Sequence, residues 1–164
     1  MNFLIKPILY ILLFTSSIFC DTVSFKEGKY VEALDIFTYR DGNVSYSDRQ
    51  TTIHYKDGKT IIKRDSNLTV QNSKGELLTT IDLGQRVDIA LYFSLTKALF
   101  SKDFKSLEEN FKVQELKNNG YLFLPKESIK NVIEEIELTL NSDETPKEFS
   151  INFGNGDIIK IETK

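Results

Sequence analysis

The run Val87-Asp-Ile-Ala-Leu-Tyr-Phe-Ser-Leu-Thr-Lys-Ala-Leu-Phe100 is the one long helix-like segment in a chain that otherwise reads as short antiparallel strands. Only Asp88, Ser94, Thr96 and Lys97 interrupt its apolar character. A helix with so narrow a polar edge cannot rest on a surface and must be covered on most sides. The strands before and after it are the only partners available. The expected arrangement is therefore a strongly curved sheet with an apolar helix laid across its mouth.

Turn chemistry marks out the first half of the chain. Asp41-Gly42-Asn43, Ser47-Asp48-Arg49, Asp57-Gly58, Asp65-Ser66-Asn67 and Ser73-Lys74-Gly75 recur roughly every eight residues, the pitch of an up-and-down meander. Between them lie strand-like segments: Tyr30–Tyr39, Val44–Tyr46, Thr51–Tyr55, Lys59–Lys63, Leu68–Val70 and Leu77–Leu83. Asp57-Gly58 is the strongest hairpin signal, expected as a type I′ turn with positive φ at both central residues. After the apolar run, Asp103 can cap a short helix containing Phe104, Leu107 and Glu108. Strand character returns at Phe111–Leu116, Asn118-Asn119-Gly120 turns the chain, and Tyr121–Leu124 follows until Pro125, which cannot donate to a ladder. Glu127–Asn131 is expected to form one helical turn. Ile136, Leu138 and Leu140 then alternate with polar residues, as do Phe149, Ile151 and Phe153, and Gly154-Asn155-Gly156-Asp157 leads into Ile159 and Ile161. About ten strands with one apolar face and a single plug helix make a mostly β, α+β fold, a partly open antiparallel barrel.

The first twenty residues have the pattern of a secretory signal: Lys6 precedes the apolar run Ile8 to Phe14, and Thr15, Ser16 and Ser17 follow. That apolar stretch is short for a bilayer span. The expected organisation is a cleaved signal over 1–20 and a single domain over 21–164, exported to the periplasm. Cys20 is the only cysteine, which excludes a disulfide framework from that domain. It has two readings, the end of an ordinary signal or the acylated residue of a lipoprotein. A lipoprotein signal carries a small residue just before the cysteine, where this chain has Phe19, so the ordinary signal fits better. Removing Lys6 with the signal leaves 20 Lys and Arg against 24 Asp and Glu, a net charge of −4. The signs are interspersed and form no basic stripe, which argues against a nucleic-acid partner.

Catalytic chemistry finds no support. His54 is the sole histidine, and strand alternation places it opposite Ile53 and Tyr55, on the solvent side. Glu134, Glu135 and Glu137 could be read as acid/base or metal-ligating groups, but Glu135 and Glu137 share one strand face beside Thr139, as a solvated outer face would. Asn43-Val-Ser45 and Asn67-Leu-Thr69 fit the glycosylation pattern, a short motif with little weight here. Phosphate loops, nucleophile elbows and His-rich metal patterns are lacking. The expectation is a protein that is not an enzyme and uses no cofactor.

Over Leu83–Lys164 the chain resembles the LolA family, periplasmic carriers of outer-membrane lipoproteins. Leu95–Phe111 resembles the family's passage from its mid-chain helices into the next strand, and Tyr121-Leu-Phe-Leu-Pro-Lys126 its aromatic-x-Leu-x-Pro-Lys strand end. Ile133–Leu138, Pro146–Phe149 and Gly156–Ile161 resemble its closing strands, and Gln50 and Asp57-Gly58-Lys59 fit earlier ones. The family's early Arg-Trp pair, whose arginine helps fasten a lid, is missing: Asn43 and Val44 stand there, and the chain has no tryptophan. The resemblance implies acylated lipoprotein or lipid as cargo, an inner-membrane exporter as donor, an outer-membrane acceptor, and a monomer. A LolA-like accessory of a lipid exporter is the neighbouring reading.

Strand alternation and the resemblance together nominate an apolar cavity and lid. Ile53, Tyr55, Phe123, Ile136, Leu138, Ile151 and Phe153 are expected to line the concave face, and Leu91, Phe93, Leu95 and Leu99 the helix side. In one alternative the helix is a movable lid over acyl chains. In the other it simply fills a solid core, and the protein is a non-enzymatic binding or scaffold module.

Overall fold

The computed structural model describes residues 21–47 and 49–164; the expected signal sequence and the centre of the Ser47-Asp48-Arg49 turn lie outside them. Eleven strands form one antiparallel sheet: β1 Asp21–Val31, β2 Ile36–Tyr46, β3 Gln50–Tyr55, β4 Thr60–Arg64, β5 Asn67–Gln71, β6 Leu77–Asp82, β7 Phe111–Leu116, β8 Gly120–Pro125, β9 Ile133–Leu140, β10 Pro146–Phe153 and β11 Ile158–Thr163. Their order is β6-β5-β4-β3-β2-β1-β11-β10-β9-β8-β7. The end strands β6 and β7 do not pair, so the sheet is open and not a closed barrel. Two helices, α1 Val87–Phe100 and α2 Phe104–Leu107, connect β6 to β7. The chain thus runs outward along one half of the sheet, crosses by way of the helices, and returns from the opposite edge.

Residues paired across antiparallel strands share a face, and the registers define one inner face throughout. Phe25 and Glu27 of β1 lie opposite Gly42 and Arg40 of β2, Val44 opposite Ile53, and Ile53 opposite Ile61. On the other side Glu27 lies opposite Ile161, Phe149 pairs with both Ile161 and Leu138, and Ile151 pairs with Ile136. The apolar members of this set form one core with Phe93, Leu95, Ala98 and Leu99 of α1, Ile61 being only partly buried at its margin. Phe100, at the helix end, packs between Tyr46 of β2 (5.8 Å) and Phe149 of β10 (5.3 Å). In α2, Phe104 covers Tyr121 and Phe123 of β8. Asp103 caps α2, accepting from the Ser106 backbone N–H at 3.2 Å.

Four local expectations need correction. Asp41-Gly42-Asn43 is not a turn but part of the unbroken strand β2. A Cβ at Gly42 would lie 2.9 Å from the His54 carbonyl and from the Phe25 ring, so glycine there serves close packing. Tyr30–Tyr39 is not one strand either: the chain reverses at Glu32–Leu34, where Asp35 adopts φ 50° and accepts a hydrogen bond from the Tyr30 hydroxyl. The Asp57-Gly58 hairpin has positive φ only at Gly58 (90°), with Gly58 N–H bonded to the Tyr55 carbonyl; it is a longer loop and not a two-residue type I′ turn. Glu127–Asn131 forms hydrogen-bonded turns in place of a helical one.

Candidate ligand-binding site

A carboxylate on the inner face ties the sheet to the helix. Glu27 follows Phe25 by two in β1 and therefore points the same way, into the interior, where it is 4% exposed. A buried charge is tolerated only when paired and hydrogen-bonded. Arg40 of β2 supplies the ion pair at 2.7 Å, and its guanidinium lies 4.1 Å over the Tyr55 ring. The Tyr55 hydroxyl donates to the second Glu27 oxygen at 3.0 Å. The Tyr92 hydroxyl of α1 donates to that same oxygen at 3.2 Å. Burial, reinforced by the Glu27 charge, pushes both tyrosine hydroxyls above the ordinary phenol range. Both therefore remain donors at any physiological pH.

Tyr92 is also a wall of the cavity that α1 borders. This hollow, of about 460 Å³, opens beside the N-terminal half of α1. Its apolar wall is made by Ile89 and Tyr92 of α1, Val132 before β9, Phe153 of β10 and Ile159 of β11. Polar groups gather around it: Lys29 of β1, Arg86 and Asp88 at the helix start, and Asn131, Asn155 and Asp157 from the two flanking loops. Arg86 grips Asp88 with two hydrogen bonds of 3.0 and 2.8 Å. Asp157 accepts from the Glu32 backbone N–H at 3.0 Å, pinning the β10–β11 turn to the β1–β2 turn. An apolar wall with a few polar groups is the composition of small-molecule sites, and the volume lies in their usual range of roughly 300–1,000 Å³. A larger hollow of about 670 Å³ lies beside Lys112, Lys126, Lys130, Glu127 and Glu134 and is not lined by α1.

The residues nominated from the sequence divide unevenly between core and cavity. Ile53, Tyr55, Phe123, Ile136, Leu138 and Ile151 are buried on the inner face, and Phe93, Leu95 and Leu99 are buried in the helix. Leu95 is 1% exposed and Leu99 fully enclosed, so neither lies beside open space. Leu91 is half-buried against the core. Phe153 alone among the eleven lines the cavity. Sequence patterning does not single out Ile89, Tyr92 or Lys29. A helix apolar around its whole circumference carries no sequence signal for which side meets empty space. Lys29 falls in a strand that sequence patterning did not mark, because Lys26, Glu27 and Lys29 mask its alternation.

The groups considered for catalysis lie elsewhere. His54 is exposed, with Nδ1 2.9 Å from the Thr60 hydroxyl. Glu137 is exposed and Glu135 accepts from the Asn152 amide at 3.0 Å, both on the outer face. Among the described residues no group of three or more His, Cys, Asp or Glu could hold a metal ion. No described helix is long and apolar enough to cross a membrane.

No protein-family model and no curated protein matches the sequence. Solved structures do match it. A domain described as an outer membrane lipoprotein-sorting protein from Vibrio parahaemolyticus is 5% identical, with 87% of this chain and 82% of that one covered at a TM-score of 0.39. The lipoprotein LppX of Mycobacterium tuberculosis is 11% identical, with 88% and 85% covered at a TM-score of 0.41.

Proposed function

We propose that this protein is an extracytoplasmic carrier that shields an acyl chain from water beside its apolar helix. The observation that carries this reading is the cavity of about 460 Å³ with one wall from α1 and the other from β10 and β11. Each methylene moved from water into such a site contributes about 0.8 kcal/mol. A chain of ten buried methylenes would therefore gain on the order of 8 kcal/mol before the cost of immobilising it. No strong polar anchor is needed. Deepening the site would require the helix to rise from the sheet, and Tyr92 would then leave Glu27. The resemblance of Leu83–Lys164 to the LolA family supports the same reading. It further suggests lipoprotein or lipid cargo taken from an inner-membrane exporter and passed to an outer-membrane acceptor.

A second reading has its own observation. Phe123, Ile136, Ile151 and Leu99 are completely enclosed, so most of the inner face is solid core. A scaffold module would look like this. The two are separated by purifying the protein and analysing an organic extract by mass spectrometry. The carrier reading expects stoichiometric lipid or, after delipidation, saturable binding of a hydrophobic dye by the folded protein. Neither lipid nor dye binding would leave the scaffold.

A further inference from the structure

We infer that the cavity beside α1 selects a single acyl chain bearing an anionic head, with the Lys29 ammonium as its counter-ion. This rests on the carrier reading above and adds the chemistry of the ligand's polar end. Lys29 belongs to the inner face: it pairs with Ile159 of β11 and Thr38 of β2, two positions along from the buried Glu27. It is half-buried and lines the cavity beside Tyr92 and Ile159.

Two of the nearby carboxylates are paired with arginines, while Asp157 keeps its charge and is held in the β10–β11 turn. Asp88 is gripped by Arg86, and Asp157 accepts from the Glu32 backbone N–H. Glu27, the nearest carboxylate along the strand, is held by Arg40, Tyr55 and Tyr92. Among the described residues Lys29 has no carboxylate within ion-pair distance, so the cavity holds one cation without a partner. A chain entering the cavity removes water from that ammonium. A neutral head leaves it poorly solvated, whereas a carboxylate or phosphate replaces the lost water with a charge-assisted hydrogen bond. Size limits the number of chains. At roughly 30 Å³ for each water-sized group, 460 Å³ accommodates on the order of fifteen, the bulk of one chain.

The experiment is isothermal titration of the purified, delipidated protein with dodecanoate, dodecyl phosphate and dodecanol, each below its aggregation concentration. Lys29→Met and Lys29→Arg are titrated beside the parent protein, after denaturant melts confirm that each variant folds. Selection by Lys29 predicts that the parent binds at least one anion about tenfold more tightly than dodecanol, a difference worth about 1.4 kcal/mol. The preference should vanish in Lys29→Met, persist in Lys29→Arg, and leave dodecanol affinity within about threefold throughout. Preference for the carboxylate over the phosphate, or the reverse, tells a fatty-acid source from a phospholipid one. Equal binding of all three by the parent, or an undiminished preference in Lys29→Met, overturns the role of Lys29 while leaving a carrier. Binding of none overturns the carrier reading as well.

Discussion

Tyr92→Phe removes one hydroxyl from the junction of helix, sheet and cavity. The ring should keep its edge-on contact with Phe93, at 5.4 Å and 84°. What is lost is the bond to Glu27, whose carboxylate retains Arg40 and Tyr55. A hydrogen bond to a charged group contributes roughly 1.5–3 kcal/mol, and this one is long at 3.2 Å with an acceptor shared by Tyr55. A destabilisation of about 1–1.5 kcal/mol is therefore expected in urea denaturation, with an unchanged slope. The same substitution in a Glu27→Gln background should cost less than half as much, because the charge that made the bond strong is gone. Amide exchange in α1 should accelerate in Tyr92→Phe relative to the β9 and β10 amides, since the tie is specific to the helix. Equal costs in both backgrounds would refute the Glu27 tie. Uniform acceleration across helix and sheet would show that the helix never opens separately.

Other perturbations probe the core around this junction. Leu95→Ala should cost about 2–5 kcal/mol, because Leu95 is enclosed and is not part of the cavity lining, while ligand binding per folded molecule stays unchanged; calorimetry on matched folded fractions checks both. Tyr46→Phe should change stability by no more than about 1 kcal/mol in denaturant melts, since among the described residues the buried Tyr46 hydroxyl makes no well-formed hydrogen bond, Thr96 being its polar neighbour, and its ring contact with Phe100 survives; a larger loss would mean the hydroxyl is satisfied. Burial is the main cause that raises the Tyr46, Tyr55 and Tyr92 hydroxyls above their unfolded value of about 10. Above that pH the unfolded chain loses protons that the folded one keeps. The contribution of these tyrosines to stability should be flat with pH below about 9 and fall above 10 by up to roughly 1.4 kcal/mol per pH unit for each tyrosine. A flat profile to pH 11 would contradict their burial.

The second half of the fold was readable because its turns carry their own chemistry. Asn118 and Asn119 both hold positive φ, as does Gly156, and β9 and β10 alternate between buried and less buried residues over 136–140 and 149–152. The first half misled. Its first reversal has neither glycine nor proline, with Asp35 supplying the left-handed residue, while Gly42 imitates a turn in the middle of β2. In β1 the buried carboxylate of Glu27 occupies an inner position that patterning reserves for apolar residues. The inner face itself could be read from alternation, from Ile53 to Ile151. Where that face stops being covered could not, because it depends on how far α1 reaches across eleven strands. The cavity consequently lies at Ile89 and Tyr92, and not at Leu95 and Leu99.

The carrier account stands most directly on where a bound chain lies. A fatty acid with a photoreactive diazirine on its chain, irradiated with the delipidated protein, can be mapped by peptide mass spectrometry. Cross-links should concentrate on Ile89, Tyr92, Val132, Phe153 and Ile159, and excess unlabelled fatty acid should suppress them. Cross-links confined to the exposed Leu34, Ile36 and Phe37 of the β1–β2 hairpin, or absent altogether, would contradict an acyl chain held beside the helix.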